Sequence, residues 1–298
     1  MPAENNPLVS VICLCYNHEQ FVIETLESVI SQTYTNFELI IVDDCSTDTS
    51  VEKINHWLQN NPKCTFIQNQ QNLGNTKSFN IAAQRAKGTY LIDLAADDLL
   101  LPNCIEKQVK TFETSAYKNL GLVYGNVQNI NESNEIIDEY FMVNQDNKVL
   151  TKRPTGSVFS NIIDSGKTIC SVSAMFTKEA FLKLNGFDEK LAYEDLDFWI
   201  RLSRVYEIDF IDAILVQKRR VSNSLGSQFH DKSYSKRINA STLIILNKAY
   251  DLCESKTEYR NLLKRIHYEI QLNYKNNDFG LVIESILLKL KTEFKILI

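Results

Sequence analysis

The sequence lacks several features that would each indicate a particular class of protein. It has 32 lysines and arginines and 37 acidic residues, which gives a formal net charge of −5, and the basic residues form no long run. Nucleic acid is therefore not expected as a main partner, because binding phosphates requires a clustered basic surface. No stretch approaches the roughly 18 apolar residues of a membrane-spanning helix. The N-terminus, MPAENNPLVS, does not resemble a signal peptide.

The seven cysteines are odd in number and form no C-x-x-C pair, so neither a disulfide framework nor a zinc site is indicated. We interpret them as small buried apolar residues in a reducing cytoplasm. A hydrophobic content of 44% with 23% charged residues is ordinary for a soluble globular protein.

The first 130 residues alternate between predicted strands and helices. Continuous apolar runs are typical of strands buried on both faces. The predicted strands are residues 8–15, 37–42, 63–68 and 89–94. Asn103 opens a further helix, with Glu106 as its predicted capping-box partner. Single helices between strands imply right-handed crossovers and a mainly parallel sheet.

The later part of the chain shows a mixed pattern and then only helices. Predicted strands cover residues 122–127, 136–142, 169–176 and 207–216, and predicted helices cover 178–185 and 194–205. Residues 144–167 are predicted to be a mobile loop, and about three helices follow residue 228. We therefore expect an α/β, Rossmann-like domain over residues 1–228 and a helical region over 229–298. The last helix is amphipathic, with lysines on one side. It would either pack on the core or lie on an anionic membrane surface.

Polar residues follow each of the first four predicted strands. They are Cys15 to Glu19, Asp43 to Asp48, Asn72 to Gly74, and the pair Asp97 and Asp98. Each group alone is explained by a turn, a helix cap or a solvated strand end. Together they favour a ligand site, because ligands bind at the carboxyl ends of strands in an open α/β sheet. One acid pair would suit a ribosyl or aromatic ligand and the other a divalent cation.

Two further patterns narrow the chemistry. An aspartyl phosphatase is excluded, because Asp43 and Asp44 are adjacent rather than separated by one residue. In LAYEDLDFWIRL, residues 191–202, Glu194 and Asp195 stand at the start of a predicted helix. A carboxylate held ionised by the positive helix end can accept a proton in a concerted step. Helix capping explains the same acids more simply, and the two roles are compatible.

Three segments resemble the inverting glycosyltransferases of family two, which have the nucleotide-binding glycosyltransferase A fold. They are residues 9–48, which include FELIIVDDCSTD; residues 72–102, which include NLGNTKSFN and LIDLAADDLLLP; and residues 185–202, NGFDEKLAYEDLDFWIRL. The resemblance spans about residues 8 to 220 and implies transfer of a sugar from a nucleotide-sugar donor. The implied acceptor is a saccharide or lipid-linked saccharide in bacterial surface-polysaccharide synthesis.

The resemblance also implies roles for individual residues. Asp195 would be the catalytic base, Asp97 would bind Mg²⁺ or Mn²⁺, and Asp44 would accept the ring N–H of a pyrimidine, with a UDP-sugar as first expectation. Glu194, Gly186 and Trp199 would shape the acceptor side. The donor nucleotide would contact Cys15, Tyr16, Asn17, Glu19, Asp43, Asp44, Asn72, Gly74, Lys77 and Asp98.

The sequence departs from the family pattern at three positions. Ala95 stands where the metal motif usually has its first aspartate, Cys45 replaces a usual glycine, and Val221 stands near a usual histidine. Arg219 and Arg220 would then neutralise phosphate charge beside a weaker metal site, unless they lie on a solvated strand edge. His230 is a further candidate for the missing imidazole.

Two alternative functions make different demands on these residues. A sugar-nucleotide nucleotidyltransferase would carry a glycine-rich, basic loop after the first strand, where this chain has CYNHEQ. A catalytically inactive, nucleotide-sugar-binding relative is suggested by Ala95 and Val221, whereas the intact Glu194–Asp195 pair argues against it. The enzyme is expected in the cytoplasm, with peripheral contact to the inner face of the membrane through its last helix.

Overall fold

The computed structural model describes residues 6–165, 168–221 and 232–298. Its first half is a run of strands and helices that forms one side of a nine-stranded sheet. The strands are β1 (Val9–Cys15), β2 (Phe37–Asp43), β3 (Thr65–Gln68) and β4 (Tyr90–Ala95), and the helices between them are α1 (Val22–Ile30), α2 (Ser50–Leu58) and α3 (Asn75–Arg85). These strands are parallel, in the order β3–β2–β1–β4. The predicted α/β fold with a mainly parallel sheet is confirmed.

The second half completes the sheet with shorter and longer strands. Its elements are β5 (Leu99–Leu100), α4 (Cys104–Thr114), β6 (Leu120–Ile130), β7 (Ile136–Glu139), α5 (Phe159–Ser165), β8 (Met175–Thr177), α6 (Lys178–Lys183), α7 (Asp195–Val205) and β9 (Glu207–Arg219). The order continues β4–β8–β6–β9–β5, with β7 paired to β6. Strand β8 is antiparallel to both of its neighbours, β4 and β6. The amino-terminal end of β8 therefore points toward the carboxyl end of β4, with Met175 opposite Ile92.

Three local predictions were wrong. The predicted strand 169–176 is mostly a bend and the 3₁₀ turn Ser171–Ser173, and only its last residues pair in the sheet. The predicted loop 144–167 contains helix α5, whose apolar residues are buried. Asn103 is the N-cap of α4, but its side chain makes no capping bond, and the Glu106 carboxylate accepts the Thr33 hydroxyl at 2.8 Å in place of a capping box.

Residues 232–298 of the described chain form three helices: α8 (Lys232–Leu252), α9 (Lys256–Lys275) and α10 (Phe279–Leu297). Helix α9 packs against α5 and α10, and a capping box between Ser255 and Glu258 begins it. Arg204 of α7 pairs with Glu258 at 2.5 Å, so the helical region is joined to the sheet domain. Within the described ranges, no helix is long and apolar enough to cross a membrane.

Candidate active site

A cleft of about 630 Å³ opens at the carboxyl ends of β1, β2 and β4. Strand β1 lies between β2 and β4, so the three strands deliver their following loops to one place. Most of the predicted site residues line this cleft. They are Cys15, Tyr16, Asp44, Asn72, Gly74, Lys77, Asp97, Asp98, Glu194, Asp195, Trp199 and Arg219.

Three predicted donor-binding residues instead hold the loops behind the cleft. Asn17 Oδ1 accepts the Thr47 amide at 2.8 Å, and the Glu19 carboxylate accepts the Thr49 amide at 2.9 Å. Asp43 is fully buried and accepts the Ser46 amide at 3.0 Å. Through these hydrogen bonds, all three residues stabilise the loops after β1 and β2.

Several residues near the site have positive φ, among them Asn17, Cys45, Gly74 and Gly186. Cys45, where the family usually has glycine, has φ +65°. Gly186 has φ +67°, and a Cβ there would meet Asn80 Oδ1 at 2.9 Å. Gly186 follows the end of α6 at Lys183 and permits a close approach to α3, and it does not line the cleft.

Asp44 organises the turn that precedes α3. Its Oδ1 accepts Asn69 Nδ2 at 2.8 Å, the Leu73 amide at 2.8 Å and the Ser78 hydroxyl at 3.0 Å. Its Oδ2 accepts the Gly74 amide at 2.7 Å. Each carboxylate oxygen offers about two lone-pair positions. Because Oδ2 accepts the Gly74 amide with one of them, it keeps acceptor capacity for a ligand N–H.

Asp97 and Asp98 form an acidic pair just beyond β4, and they are only 7% and 3% exposed. Burial, and then the charge of Asp97, raise the pKa of Asp98 to about 8. His18 Nε2 lies 3.9 Å from Asp97 Oδ2, and His18 Nδ1 is buried with no hydrogen-bond partner among the described residues. A bound positive charge would relieve the repulsion within this pair.

The described residues hold no group of three or more histidine, cysteine or acidic ligands that would form a complete metal cage. Mg²⁺ often uses only one or two protein carboxylates, with substrate phosphates and water as its other ligands. The donor set at Asp97 and Asp98 therefore fits a cation that arrives with a diphosphate.

Asp93, which the sequence analysis missed, also lines the cleft. It lies on the same face of β4 as Ala95, because side chains two apart in a strand share a face. Burial, followed by the charges of Glu194 and Asp195, raises its pKa well above the usual range of an aspartate. An acid in the otherwise apolar run YLIDL was the signal that would have identified it.

A short hydrogen-bond chain orients Asp195, the first residue of α7. Trp199 Nε1 donates to the Ser171 hydroxyl at 2.9 Å, and that hydroxyl donates to Asp195 Oδ2 at 2.9 Å. Beside it, burial and the Asp195 charge raise the pKa of Glu194 to about 7. Thr76 Oγ1 donates to Glu194 Oε2 at 3.3 Å. Ser171, a further residue that sequence reasoning missed, thus connects two predicted ones.

Arg219 is not on a solvated edge, because it is 1% exposed. Its guanidinium donates to Glu24 at 2.8 Å and to the Asp97 carbonyl at 3.1 Å, and it stacks 4.5 Å from the Phe21 ring. Its amide donates to Asp98 Oδ1 at 2.8 Å. These contacts make Arg219 a support of the acidic pair.

Arg220, in contrast, is exposed and pairs with Asp138 at 2.7 Å, as the solvated-edge alternative expected. Lys218 is the basic residue of this segment that lines the cleft beside Arg219. His230 lies outside the described residues.

Comparison with known proteins places this geometry in a family. The sequence matches the family model "Glycosyl transferase family 2" over residues 10–181. It is 31% identical to an uncharacterized glycosyltransferase of Methanocaldococcus jannaschii, over 86% of this chain and 81% of that protein. It is 28% identical to a chondroitin synthase of Escherichia coli, over 70% of this chain and 28% of that protein.

Solved structures share the fold. The S. aureus TarS fragment 1–349 in complex with UDP-GlcNAc superposes with a TM-score of 0.70 at 16% identity, covering 95% of this chain and 81% of the fragment. A mannosyltransferase of Pyrobaculum calidifontis, in complex with GDP-Man and Mn²⁺, superposes with a TM-score of 0.62 at 17% identity, covering 94% and 73%. At these identities the likeness concerns the fold alone.

Proposed function

Because this chain belongs to glycosyl transferase family 2 and is therefore a glycosyltransferase that uses a nucleotide-sugar, we propose that its donor is a UDP-sugar. The proposed acceptor is a hydroxyl of a saccharide or lipid-linked saccharide, and the sugar is transferred with inversion. The observation that carries this proposal is the shared cleft, which brings the oriented carboxylate of Asp195 together with the acidic pair Asp97 and Asp98.

Asp195 acts as the base in this proposal. Its carboxylate takes the proton of the acceptor hydroxyl, the hydroxyl oxygen attacks the anomeric carbon, and the bond from that carbon to the diphosphate breaks. Attack opposite the leaving group inverts the anomeric centre without a covalent glycosyl-enzyme. The hydrogen bond from Ser171 to Asp195 fixes the carboxylate for the step.

Asp97 would hold Mg²⁺ or Mn²⁺, with Asp98 and His18 beside it. Such a cation supplies charge stabilisation to the departing diphosphate. Ala95 contributes no carboxylate, so we expect the Ala95→Asp variant to bind Mn²⁺ more tightly. Titration of Mn²⁺ by its paramagnetic signal tests this, and equal or weaker binding by the variant would contradict it.

The nucleoside would lie against the loops after β1 and β2. Tyr16 lines the cleft and is 43% exposed, which suits stacking on a nucleobase. Asp44 Oδ2 can accept the ring N–H of uracil, a donor that neutral cytosine and adenine lack. The TarS neighbour binds UDP-GlcNAc and the mannosyltransferase neighbour binds GDP-Man. The fold alone therefore does not select the base.

A thermal-shift screen of nucleotides and nucleotide-sugars, with and without Mn²⁺, tests the donor. Ligands that bind the native state raise its melting temperature by mass action. We expect UDP-sugars with metal to give the largest shift. A larger shift with GDP-sugars would overturn the choice of base.

Donor turnover, with Asp195→Asn as the variant, tests the reaction. We expect turnover to fall by a factor of about 10³ or more, because the general base is lost, while the UDP thermal shift is retained. Binding without turnover by the native chain would instead support an inactive relative. Pyrophosphate exchange into a UDP-sugar would support a nucleotidyltransferase.

A further inference from the structure

Asp93 lines the cleft with a carboxyl group that has no partner in the described part of the chain. It stands near the end of β4 and is partly exposed to the cleft. Its carboxyl makes no hydrogen bond or ion pair with any described residue. Most enclosed polar groups do have such a partner. A carboxyl without one, directed into a cleft, indicates that a ligand supplies the partner.

Asp93 lies between the two parts of the proposed chemistry. On one side, Asp97 and Asp98 follow it in the turn after β4. On the other side, Glu194 and Asp195 at the start of α7 are close enough for their charges to act on it, and Asp98 adds a smaller effect. The diphosphate is proposed to lie at Asp97 and the base is proposed to be Asp195. The transferred sugar would therefore lie between them, beside Asp93.

The neighbouring residue on the same face of β4 leaves access to this carboxyl. Ala95 is two residues nearer the acidic pair, lines the cleft and is exposed. Its methyl group is too short to cover the carboxyl of Asp93. A ligand held at the acidic pair can therefore reach Asp93 over Ala95.

Aromatic surface lies next to the carboxyl. Phe176 of β8 pairs with Leu91 of β4, and its ring lies 5.9 Å from the Trp199 ring. Both rings line the cleft. Sites for small molecules commonly combine apolar walls with a few placed polar groups. A sugar ring, which has apolar C–H groups and polar hydroxyls, suits such a surface.

A shared metal ion does not explain the position of Asp93. The described residues hold no group of three acidic, histidine or cysteine side chains that could bind one ion, so Asp93, Glu194 and Asp195 do not form such a group. Burial and the neighbouring acids raise the pKa of Asp93, which favours its protonated form. A protonated carboxyl both donates and accepts a hydrogen bond, as a sugar hydroxyl does.

We propose that Asp93 binds a hydroxyl group of the transferred sugar. The inference rests on the proposed function, because it requires the cleft to hold the nucleotide-sugar. It gives Asp93 no part in proton transfer. It adds a contact to the sugar itself, whereas the other donor contacts proposed above concern the nucleotide and its diphosphate.

Isothermal titration calorimetry in the presence of Mn²⁺ tests the proposal. Each nucleotide-sugar is compared with its own nucleoside diphosphate: UDP-glucose, UDP-galactose, UDP-GlcNAc and UDP-GalNAc with UDP, and GDP-mannose with GDP. The ratio of the two affinities isolates the sugar contact whichever base the protein prefers. We expect Asp93→Ala to weaken the best-bound nucleotide-sugar about tenfold, as for the loss of a hydrogen bond, and to change the nucleoside diphosphate by less than about twofold.

Asp93→Asn should remain within about threefold of the native affinity, because an amide also donates and accepts. The matched control is Glu189→Ala, which removes an exposed carboxylate of the same cleft and should change neither affinity. Circular dichroism checks that each variant is folded.

Equal losses of nucleotide-sugar and nucleoside diphosphate binding in Asp93→Ala, or no loss of either, would overturn the inference and leave the proposed function standing. A loss confined to the KM of the acceptor would also overturn it, because the hydroxyl would then belong to the acceptor. A native chain that binds none of these nucleotides would overturn the proposed function, and this inference with it.

Discussion

At the scale of single residues, the proposed base Asp195 depends on a neighbour that has no reactive role in the proposed mechanism. Ser171 receives the Trp199 N–H and donates to Asp195. Two rigid side chains thereby fix one carboxylate. A positioning residue of this kind affects the rate through the orientation and charge of the base rather than through substrate contact.

Ser171→Ala should lower kcat about tenfold and leave the UDP-induced thermal shift unchanged. The KM for the donor should change little, because the substitution affects the orientation of the proposed base and not donor binding. Steady-state kinetics separates the two parameters. The control is Ser173→Ala, whose hydroxyl donates to the Gly125 carbonyl. An equal loss of kcat in that control would show that the effect is not specific to Ser171.

Glu194 gives the free energy of unfolding a pH dependence of known sign. Its pKa is raised from 4.5 to about 7 in the folded state, so between these values the folded protein holds a proton that the unfolded chain has lost. Stability contributed by this residue is therefore lost as pH rises through that window.

Glu194→Gln should remove this dependence, because glutamine keeps the acceptor for Thr76 but carries no charge. We expect the variant to be more stable than the native chain by about 1–3 kcal/mol at pH 8 and by little at pH 5. Urea unfolding at both pH values measures the difference. Glu189→Gln, at an exposed position of the same cleft, is the control. A constant difference across pH would contradict the assignment.

At the scale of elements, the end of β9 holds the acidic turn in place. Arg219 joins β9 to the Asp97 carbonyl, to Asp98 through its own amide, and to Glu24 of α1. The neighbouring Arg220 pairs with Asp138 at the surface. Adjacent arginines of one strand thus have opposite environments.

Arg219→Lys should lower the free energy of unfolding by about 2–4 kcal/mol, because a lysine ammonium cannot make all the hydrogen bonds of the buried, planar guanidinium. Arg220→Lys should change it by less than about 0.5 kcal/mol, as expected for an exposed pair. Urea denaturation of the two variants is the comparison. Similar losses in both would show that Arg219 does not have the structural role inferred here.

The parallel half of the sheet could be predicted because its strands are continuous apolar runs separated by single helices. Polar residues directly follow each of those strands in the sequence, and this position likewise predicted which loops meet at the cleft. Ser171 could not be found in this way, because it lies in a 3₁₀ turn that has no periodic signal. Asp93 was missed because an acid within a strand was interpreted only as part of an apolar run.

At the scale of the whole molecule, the C-terminal helices are in direct contact with the sheet domain. Helix α9 contacts α5 and α10, and Arg204 of α7 pairs with Glu258. The expected boundary near residue 228 therefore separates an α/β region from a helical region, and we do not expect it to separate two independent folding units. We expect the two regions to unfold together.

Calorimetry should show one transition for the native chain. Leu262→Ala, at a fully buried position of α9, should lower that single transition by the equivalent of about 2–5 kcal/mol. The exposed Tyr268→Ala on the same helix is the control. A separate early transition, with the UDP-stabilised transition unaffected by Leu262→Ala, would show that residues 229–298 form an independent domain.

The origin of the cleft residues in two separate parts of the chain also has a consequence for how such proteins diversify. The loops proposed to hold the nucleotide all come from the first hundred residues, whereas Ser171, Glu194 and Asp195 come from one later stretch. The two sides of the cleft are thus encoded by separate contiguous segments that meet only in the folded sheet. Under the proposed roles, we expect recombination between relatives that exchanges the later segment to change acceptor preference while the nucleotide-binding loops are retained.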